Sequence, residues 1–330
     1  MRKRGGKILI WLVILLVVPV IYVIWENQRI TVAEQEVEID QLPDEFENFT
    51  ILQISDLHEK EFGENQKNLI KAVNSIEYDA IVFTGDMLNS TESTAYEAFY
   101  SFVEGITNKE NALYIPGNAD PESYKLNSQG TLVKDEFIAG MEERGVKLLE
   151  SVHSIEAGES ALHFTEFELS LWTYTTEPRN IQGVVQPTYI SLPQYEDRRN
   201  QLMKEMAVLD DLQASDVVIA LNHYPVVDAR IDHITSSAVL TFRAYDLILA
   251  GHYHGGQIRL PFLGVVFVPE PWYERSGLFP PRDRVKGLWE YKGTKQYVST
   301  GLGSSGALPY LNFRVFNPPE INVLKLKASK

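Results

Sequence analysis

The stretch Gly251-His252-Tyr253-His254-Gly255-Gly256 follows the apolar run Tyr245-Asp246-Leu247-Ile248-Leu249-Ala250. The apolar run predicts a buried strand. The glycines allow the backbone to approach another group closely. Such a strand delivers two imidazoles at its carboxyl end, and imidazole is the commonest metal-binding side chain. The alternative is two polar residues in a turn, but two histidines framed by three glycines favour metal ligands.

Four further apolar stretches also end at Asp, Asn or His. They close with Ser55-Asp56-Leu57-His58, Thr84-Gly85-Asp86, Pro116-Gly117-Asn118 and Asn222-His223. In open α/β sheets, sites form in the crevice beyond the carboxyl ends of the strands. Each stretch alone is a weak signal, but five strand ends with such side chains predict one common site.

The composition limits the classes of protein and of site. The chain has 330 residues, of which 44% are hydrophobic, so it can bury a core in one large domain or two small ones. It has no cysteine, which excludes disulfides, iron–sulfur clusters and thiolate metal sites. Any metal must therefore be held by nitrogen and oxygen. The formal net charge of −15 argues against a nucleic-acid partner.

The N-terminal segment predicts a membrane anchor. Residues 1–7 form a basic tail, and residues 8–25 are an uncharged apolar run near the minimum length for crossing a bilayer. The basic flank places the N-terminus in the cytoplasm. We therefore expect an uncleaved, single-pass helix with the bulk of the chain outside the cytoplasm. A cleaved signal peptide is the alternative, but no small-x-small cleavage site precedes Glu26.

The remaining chain is predicted to form a linker and leading strand over residues 26–48 and one α/β domain over residues 49–330. Hydrophobic spacing predicts helices over residues 65–76, 91–106, 131–145 and 192–214. Short strands are expected within residues 146–170, and then at 288–291, 297–300 and 320–326. Residues 178–193 are predicted to be an irregular insertion.

Taken in order, the strand-end stretches resemble the motifs of the calcineurin-like metallophosphoesterase family. The matching residues are Asp56-Leu57-His58, Gly85-Asp86, Gly117-Asn118-Ala119-Asp120, Asn222-His223 and Gly251-His252-Tyr253-His254. The glycine–histidine stretch and the N-terminal segment look most like the membrane-associated bacterial phosphodiesterase branch. The resemblance implies a mixed α/β fold, a four-layer α/β-β/α sandwich of two mixed sheets flanked by helices.

The resemblance also implies two divalent metal ions and assigns their ligands. Asp56, His58 and His254 would bind one ion, Asn118, His223 and His252 would bind the other, and Asp86 would bridge both. A nitrogen and oxygen donor set suits manganese, iron or zinc. Such a pair of ions would activate a hydroxide and stabilise charge on the phosphoryl oxygens.

Four residues are candidates for catalysis beyond simple metal binding. Asp86 and Asn118 would act through the metals, and Asp120 would orient a ligand histidine. Arg259 would meet a substrate phosphate bidentately, with an ion pair inside the fold as an equal alternative. Three histidines outside the matching motifs are interpreted as structural or surface residues: His153, His163 and His233.

The chain departs from the family at Ala119, where a histidine thought to protonate the leaving oxygen is usual. The sequence predicts a membrane-anchored, metal-dependent phosphoesterase, specifically a phosphodiesterase, acting outside the cytoplasm on a lipid-linked or envelope-derived phosphate ester. One alternative is a lipid or sugar-nucleotide phosphohydrolase resembling UDP-diacylglucosamine hydrolases. The other is a catalytically weak, metal-binding membrane module, because alanine cannot supply a proton.

Overall fold

The computed structural model describes residues 2–173, 176, 178–306 and 310–329, with only the backbone of residues 2–10 and 12. Met1 of the predicted tail and Lys330 of the predicted domain lie outside these residues. The α-helices are α1 Arg2–Gln28, α2 Lys67–Asn74, α3 Glu97–Gly105, α4 Glu136–Glu143, α5 Phe167–Ser170, α6 Glu196–Met206 and α7 Asp228–Thr235. The strands up to the middle of the chain are β1 Thr31–Ile39, β2 Thr50–Ile54, β3 Ala80–Phe83, β4 Ala112–Tyr114, β5 Tyr124–Leu126, β6 Leu132–Lys134, β7 Lys147–Leu148, β8 Val152–Ala157 and β9 Ser160–Glu166. The later strands are β10 Val217–Leu221, β11 Leu247–Ala250, β12 Arg259–Leu260, β13 Gly264–Val265, β14 Gly287–Tyr291, β15 Thr294–Val298 and β16 Glu320–Ala328.

Two six-stranded mixed sheets form the framework. The first has the order β1-β16-β2-β3-β4-β7, and only the β16–β2 pair within it is antiparallel. The second has the order β14-β15-β11-β10-β9-β8, with antiparallel pairs at its two ends. These sheets and their helices confirm the predicted mixed α/β class. The four-layer stacking that the resemblance implies stays a prediction.

The central strands are buried on both faces, which explains why they read as continuous apolar runs. Because successive side chains point to opposite faces, each strand serves two cores. One core joins Val82 of the first sheet to Phe164 and Ile219 of the second. The alternate residues of the first sheet, such as Phe83, pack with the helices α2, α3 and α4. Packing between the sheets therefore brings their strand ends together.

The predicted helix over residues 131–145 is wrong at its start. Residues 132–134 form β6 instead, because Asn127 Oδ1 accepts hydrogen bonds from the N–H groups of Gln129 and Thr131 and closes a hairpin with β5. The helix α4 begins only after Asp135, whose Oδ1 accepts from Phe137 N as an N-cap. The predicted helices over 65–76, 91–106 and 192–214 contain α2, α3 and α6, each shorter than expected.

The range predicted as a linker and leading strand, residues 26–48, contains β1. β1 pairs with β16 in parallel along its whole length, from Thr31 with Glu320 to Ile39 with Ala328. The strand predicted over residues 297–300 lies earlier, because β15 ends at Val298.

A helix, α1, covers the predicted anchor. Within the residues that the structure describes, however, no helix has the length and apolarity needed to cross a membrane. The transmembrane anchor therefore stays a prediction.

Candidate metal centre

Five strand ends meet where the two sheets pack. β2, β3 and β4 run parallel in the first sheet, and β10 and β11 run parallel in the second. The loops that follow these strands carry the seven predicted ligands. In the structure each of these side chains lies close to at least one other member of the set.

The first ligand group consists of Asp56, His58 and His254, and all three residues are buried. His58 Nε2 lies 3.3 Å from His254 Nε2, and His254 Nε2 lies 3.4 Å from Asp56 Oδ1. One potential ligand atom from each residue lies within 4.8 Å of the others, a spacing that leaves room for a single ion.

The second ligand group consists of Asp86, His223 and His252. His223 Nε2 lies 3.1 Å from His252 Nδ1 and 3.4 Å from Asp86 Oδ2. The amide oxygen of Asn118 is 3.1 Å from the same His223 nitrogen. This arrangement places Asn118 with the residues that the resemblance assigns to the second ion.

Asp86 lies between the two groups. Its Oδ2 is 3.5 Å from His58 Nε2 and 3.4 Å from His223 Nε2. One carboxylate oxygen therefore faces a histidine of each group, as a bridging ligand must. Its other oxygen, Oδ1, accepts a hydrogen bond from Ala119 N at 2.7 Å.

Two of the candidate ligand rings, His252 and His254, have low pKa values that favour metal binding. Burial, followed by the neighbouring His58 and Arg314, holds the pKa of His254 well below its usual value. Burial and the charge of His223 lower the pKa of His252 to about 3. Both rings are therefore neutral at pH 7 and have lone pairs available for a metal. Imidazole nitrogen and carboxylate oxygen without sulfur fit divalent metal ions, whose identity stays a prediction.

Most of the candidate ligands occupy a strained backbone conformation. Five non-glycine residues at the centre have positive φ: Asp56 (52°), His58 (48°), Asp86 (58°), His252 (69°) and His254 (50°). Each such residue destabilises the fold by about 1–3 kcal/mol, and strain of this kind clusters at functional sites. The fold therefore gives up stability to aim these side chains at one point.

Two glycines permit the close approach that the sequence suggested. A Cβ at Gly251 would collide with Ser55 Oγ, and a Cβ at Gly117 would collide with Asp86 Oδ1. Neither position has room for a larger residue beside the ligand carboxylates.

The group that orients His223 is a backbone carbonyl. His223 Nδ1 lies 2.8 Å from Thr84 O, which fixes the proton on Nδ1 and leaves Nε2 for a metal. The neighbouring Asn222 instead donates to Glu168 Oε1 over 3.3 Å.

Asp120 supports the ligand loops rather than a histidine ring, contrary to our expectation. Its Oδ2 accepts hydrogen bonds from the backbone N–H groups of Asp86 and Gly117 and from the hydroxyl of Tyr114. Its Oδ1 accepts from Leu88 N. Asp120 thus links the loops after β3 and β4. None of these four hydrogen bonds involves the side chain of a candidate ligand.

Arg259 also acts on the backbone. Its Nη1 donates to Gly255 O over 2.9 Å, and it forms no ion pair with the residues that the structure describes. Burial lowers its pKa. Arg259 therefore lies beside the loop that carries His254 and contacts the backbone of the next residue, Gly255.

Arg314 is a buried residue of the centre that the sequence analysis missed. Its side chain donates to Thr300 O over 2.6 Å and to Gly303 O over 2.7 Å, and Nη2 lies 3.4 Å from His254 Nδ1. Burial lowers its pKa to about 10. A lone arginine in a loop gives no sequence signal, because its role depends on contacts with residues distant in the chain.

Arg314 is connected in turn to the end of α1. Asn27 exchanges hydrogen bonds with the backbone of Arg314, and Glu26 accepts from Phe316 N over 2.8 Å. The N-terminal helix therefore supports the segment that carries Arg314.

The histidines interpreted as structural lie outside both groups. His153 Nε2 lies 3.0 Å from Asn111 Oδ1, His163 Nδ1 lies 2.8 Å from Ser154 Oγ, and His233 Nε2 lies 3.0 Å from Gln182 O.

Ala119 has no side-chain group that can donate a proton, and two tyrosines near the centre differ in their availability. The buried hydroxyl of Tyr253 already donates to Glu270. The ring of Tyr224, by contrast, packs against His252 of the second ligand group, with 4.6 Å between the ring centroids. Tyr224 is therefore the tyrosine closest to the second ligand group in these ring contacts.

Comparison with known proteins agrees with this geometry. A family model described as calcineurin-like phosphoesterase matches residues 49–256, which is more than half of the chain. The chain belongs to the calcineurin-like phosphoesterase family. It is a metal-dependent phosphoric ester hydrolase, since its relatives are metallophosphoesterases.

Three relatives match nearly the whole chain. YkuE of Bacillus subtilis, described as an uncharacterized metallophosphoesterase, is 24% identical over 92% of this chain and 88% of its own length. YkoQ of the same organism, with the same description, is 26% identical over 95% of this chain and 97% of its own length. The UDP-2,3-diacylglucosamine pyrophosphatase LpxG of Chlamydia muridarum is 24% identical over 93% of each chain.

Proposed function

We propose that this chain hydrolyses a phosphodiester at a two-metal centre formed by the two ligand groups. The observation that carries the proposal is the position of Asp86, whose Oδ2 lies within 3.5 Å of a histidine nitrogen in each group. A carboxylate in this position would be available to an ion in each group, and a two-metal centre can stabilise the charge of a phosphoryl group.

The ligand residues have distinct tasks in this proposal. Asp56, His58 and His254 would hold one ion, Asn118, His223 and His252 the other, and Asp86 both. When bound, the ions supply Lewis acidity toward phosphoryl oxygens and lower the pKa of water. Thr84 and Asp120 keep the ligand atoms aligned. In the reaction, the water oxygen bonds to phosphorus, the ester P–O bond breaks, and the alcohol oxygen gains a proton.

Removing and restoring the metal distinguishes an active phosphodiesterase from a protein that only binds metal. We expect the metal-free protein to be inactive and manganese to restore hydrolysis of bis(p-nitrophenyl) phosphate. The diester should be preferred to p-nitrophenyl phosphate, measured as kcat/KM. Metal binding without turnover of either ester would favour the catalytically weak module.

We also propose that α1 inserts into a membrane and holds the catalytic domain outside the cytoplasm. Support comes from apolar side chains that the described protein leaves uncovered: Trp11 70%, Leu15 69%, Leu16 70%, Ile21 60% and Ile24 63% exposed. Exposed apolar side chains concentrated on one stretch of a helix favour apolar surroundings for that stretch.

Protease added to intact spheroplasts tests this placement. We expect residues after Glu26 to be digested and the N-terminal helix to stay in the membrane fraction. Complete protection of the domain would reverse the proposed orientation. A released form beginning near Glu26 would show cleavage in place of an anchor.

The relative that acts on UDP-2,3-diacylglucosamine supports a second candidate, a lipid-linked pyrophosphate substrate. Product analysis after incubation with UDP-diacylglucosamine and with glycerophosphodiesters separates the two candidates. Release of UMP from the first substrate alone would favour the pyrophosphatase, and release of an alcohol from the second would favour the phosphodiesterase.

A further inference from the structure

A pocket of about 340 Å³ opens beside the second ligand group. Its wall on the metal side includes Asn118, His223 and Tyr224. The pocket lies beyond the ends of β4 and β9 as well as β10, so both sheets contribute to it. The pocket therefore lies where a group attached to a phosphate at the candidate metal centre could extend.

The far wall of the pocket is largely apolar. Leu169, Tyr189, Ile190 and Leu202 line it and are almost completely buried. Val185, which is 46% exposed, forms part of the rim. The volume falls within the range of small-molecule sites, about 300–1,000 Å³. The pocket is therefore large enough for the organic part of a phosphate ester.

Most of the ionisable side chains that line the pocket are carboxyl groups. Its lining includes the carboxyl groups of Glu122, Glu150, Glu166 and Glu168, and the lining residues include no lysine or arginine. Two of these carboxylates are paired from outside the lining, since Arg230 binds Glu168 over 2.6 Å and Arg198 binds Glu150 over 2.5 Å. Because these arginines are already paired and no described lysine or arginine lines the pocket, a second phosphate there would lack a basic partner of its own.

The polar lining of the pocket includes a buried hydrogen-bond acceptor without a partner. Gln186 Oε1 is buried and has no hydrogen-bond partner among the described residues. Glu122 accepts two hydrogen bonds from Thr188, both over 2.6 Å. Burial and the neighbouring Glu168 raise the pKa of Glu166 to about 8, so this carboxyl group is mostly protonated and uncharged at pH 7. An unpaired buried acceptor is costly, about 1–3 kcal/mol, unless a ligand or water donates to it.

We propose that this pocket binds the alcohol part of the substrate, and that this alcohol is a neutral or cationic group with hydrogen-bond donors and no second phosphate. The inference rests on the proposed phosphodiesterase function and narrows its substrate class to esters of polyols or amino alcohols. It disfavours nucleoside diphosphate substrates, whose additional phosphate has no basic partner in the pocket.

Inhibition constants of phosphate monoesters test the pocket. The competing ligands are methyl phosphate, glycerol 3-phosphate, phosphocholine and glycerol bisphosphate, measured against manganese-dependent turnover of methyl p-nitrophenyl phosphate. We expect glycerol 3-phosphate or phosphocholine to bind at least tenfold more tightly than methyl phosphate. Glycerol bisphosphate should bind more weakly than glycerol 3-phosphate.

Two pocket variants and one control make the test specific. Val185→Trp should fill the rim and remove the advantage of the larger monoesters while leaving methyl phosphate unchanged. Gln186→Lys should improve binding of glycerol bisphosphate. Val32→Trp is the control, because Val32 is equally exposed at 46% and lies on β1, outside the pocket lining.

The contradicting results are equally defined. Tightest binding of the bisphosphate to the wild-type protein, or equal weakening of all four ligands by Val185→Trp, would overturn the pocket assignment. If the wild-type protein hydrolyses no phosphodiester, the proposed function fails separately. Calorimetric titration of the manganese-loaded protein with the same ligands and variants then still decides the pocket assignment.

Discussion

The backbone N–H of Asp86 donates a hydrogen bond to Asp120 Oδ2 over 2.7 Å. A second hydrogen bond runs the other way: the N–H of Ala119, the residue before Asp120, donates to Asp86 Oδ1 over the same distance. The loop after β3 and the loop after β4 are thus joined in both directions. The position of Asp86, the proposed bridging ligand, is therefore set in part by Asp120, a residue outside both ligand groups.

Replacing Asp120 should loosen the metal centre. Asp120→Asn keeps the shape but turns an N–H₂ group toward backbone N–H donors, each of which costs about 1–3 kcal/mol when buried without an acceptor. We expect lower thermal stability and weaker manganese binding. Tyr114→Phe, which removes only one of the hydrogen bonds to Asp120, is the graded control and should lose about 1 kcal/mol. Unchanged manganese affinity in Asp120→Asn would contradict the supporting role.

Asp86→Asn should lower the metal content of the purified protein. The amide has one oxygen and no negative charge, so the chain should retain about one ion or fewer in place of about two. Elemental analysis and activity measure the effect together. His153→Ala is the control, because His153 contacts Asn111 far from both ligand groups. Equal metal content in the two variants would remove the bridging assignment.

Arg314→Lys should weaken metal binding at the first group. Lysine cannot reach Thr300 O and Gly303 O together, so the loops beside His254 and Asp56 lose their common support. We expect about a tenfold loss of affinity, as for other residues that orient ligands.

Arg243→Lys is the matched control for Arg314. Arg243 is also buried, and it donates to Ser170 O and Leu209 O away from the metal centre. It should lose comparable stability with no change in manganese affinity. A similar loss of affinity in both variants would show a general folding effect.

Ala119→His tests the absent proton donor. A positioned general acid contributes about 10²–10⁴-fold for leaving groups that need a proton, and aryl oxides need none. We therefore expect the wild-type protein to hydrolyse aryl phosphodiesters far faster than matched alkyl esters, and Ala119→His to raise the alkyl rates more. Similar kcat/KM for both ester classes, unchanged by the substitution, would mean that another group supplies the proton.

Manganese affinity should rise with pH. Burial opposes protonation of His223, but the charges of Asp86 and Asp56 and the hydrogen bonds to Asp86 and Thr84 O together outweigh it and raise the pKa of His223 to about 9. In the metal-free protein this ring therefore carries a second proton, on Nε2, at pH 7. A metal ion must displace that proton to bind there. Affinity should increase about tenfold per pH unit up to pH 9 and then level off.

The same proton affects the stability of the metal-free protein. Because the folded pKa of His223 exceeds its ordinary value of 6.5, its stabilising contribution is complete below pH 6.5 and is lost as the pH rises through about 9. Thermal denaturation between pH 6 and 10 measures this loss. His223→Asn should flatten both the stability profile and the pH dependence of manganese binding; persistence of either slope would assign it to another group.

Local patterns in the sequence pointed to the candidate ligands that the structure brings together. The stretches that end at Asp56, Asp86 and His223 are continuous apolar runs because their strands are buried on both faces. Such runs end where the backbone leaves the sheet, which is where polar side chains can meet. Element boundaries were less predictable, since the start of α4 depends on a hairpin closed by Asn127.

The sequence by itself determined which side chains can bind metals, the absence of thiolate ligands and the alanine at position 119. Only the tertiary structure decided their partners. His58 and His254 are 196 residues apart, yet their ring nitrogens lie 3.3 Å from each other. Their meeting depends on how two sheets pack, and so do the contacts of Arg314 and the acidic pocket beside the second group. Local sequence patterns do not show which distant strands pack together. The free energy that favours this packing comes from burying apolar residues spread over both sheets.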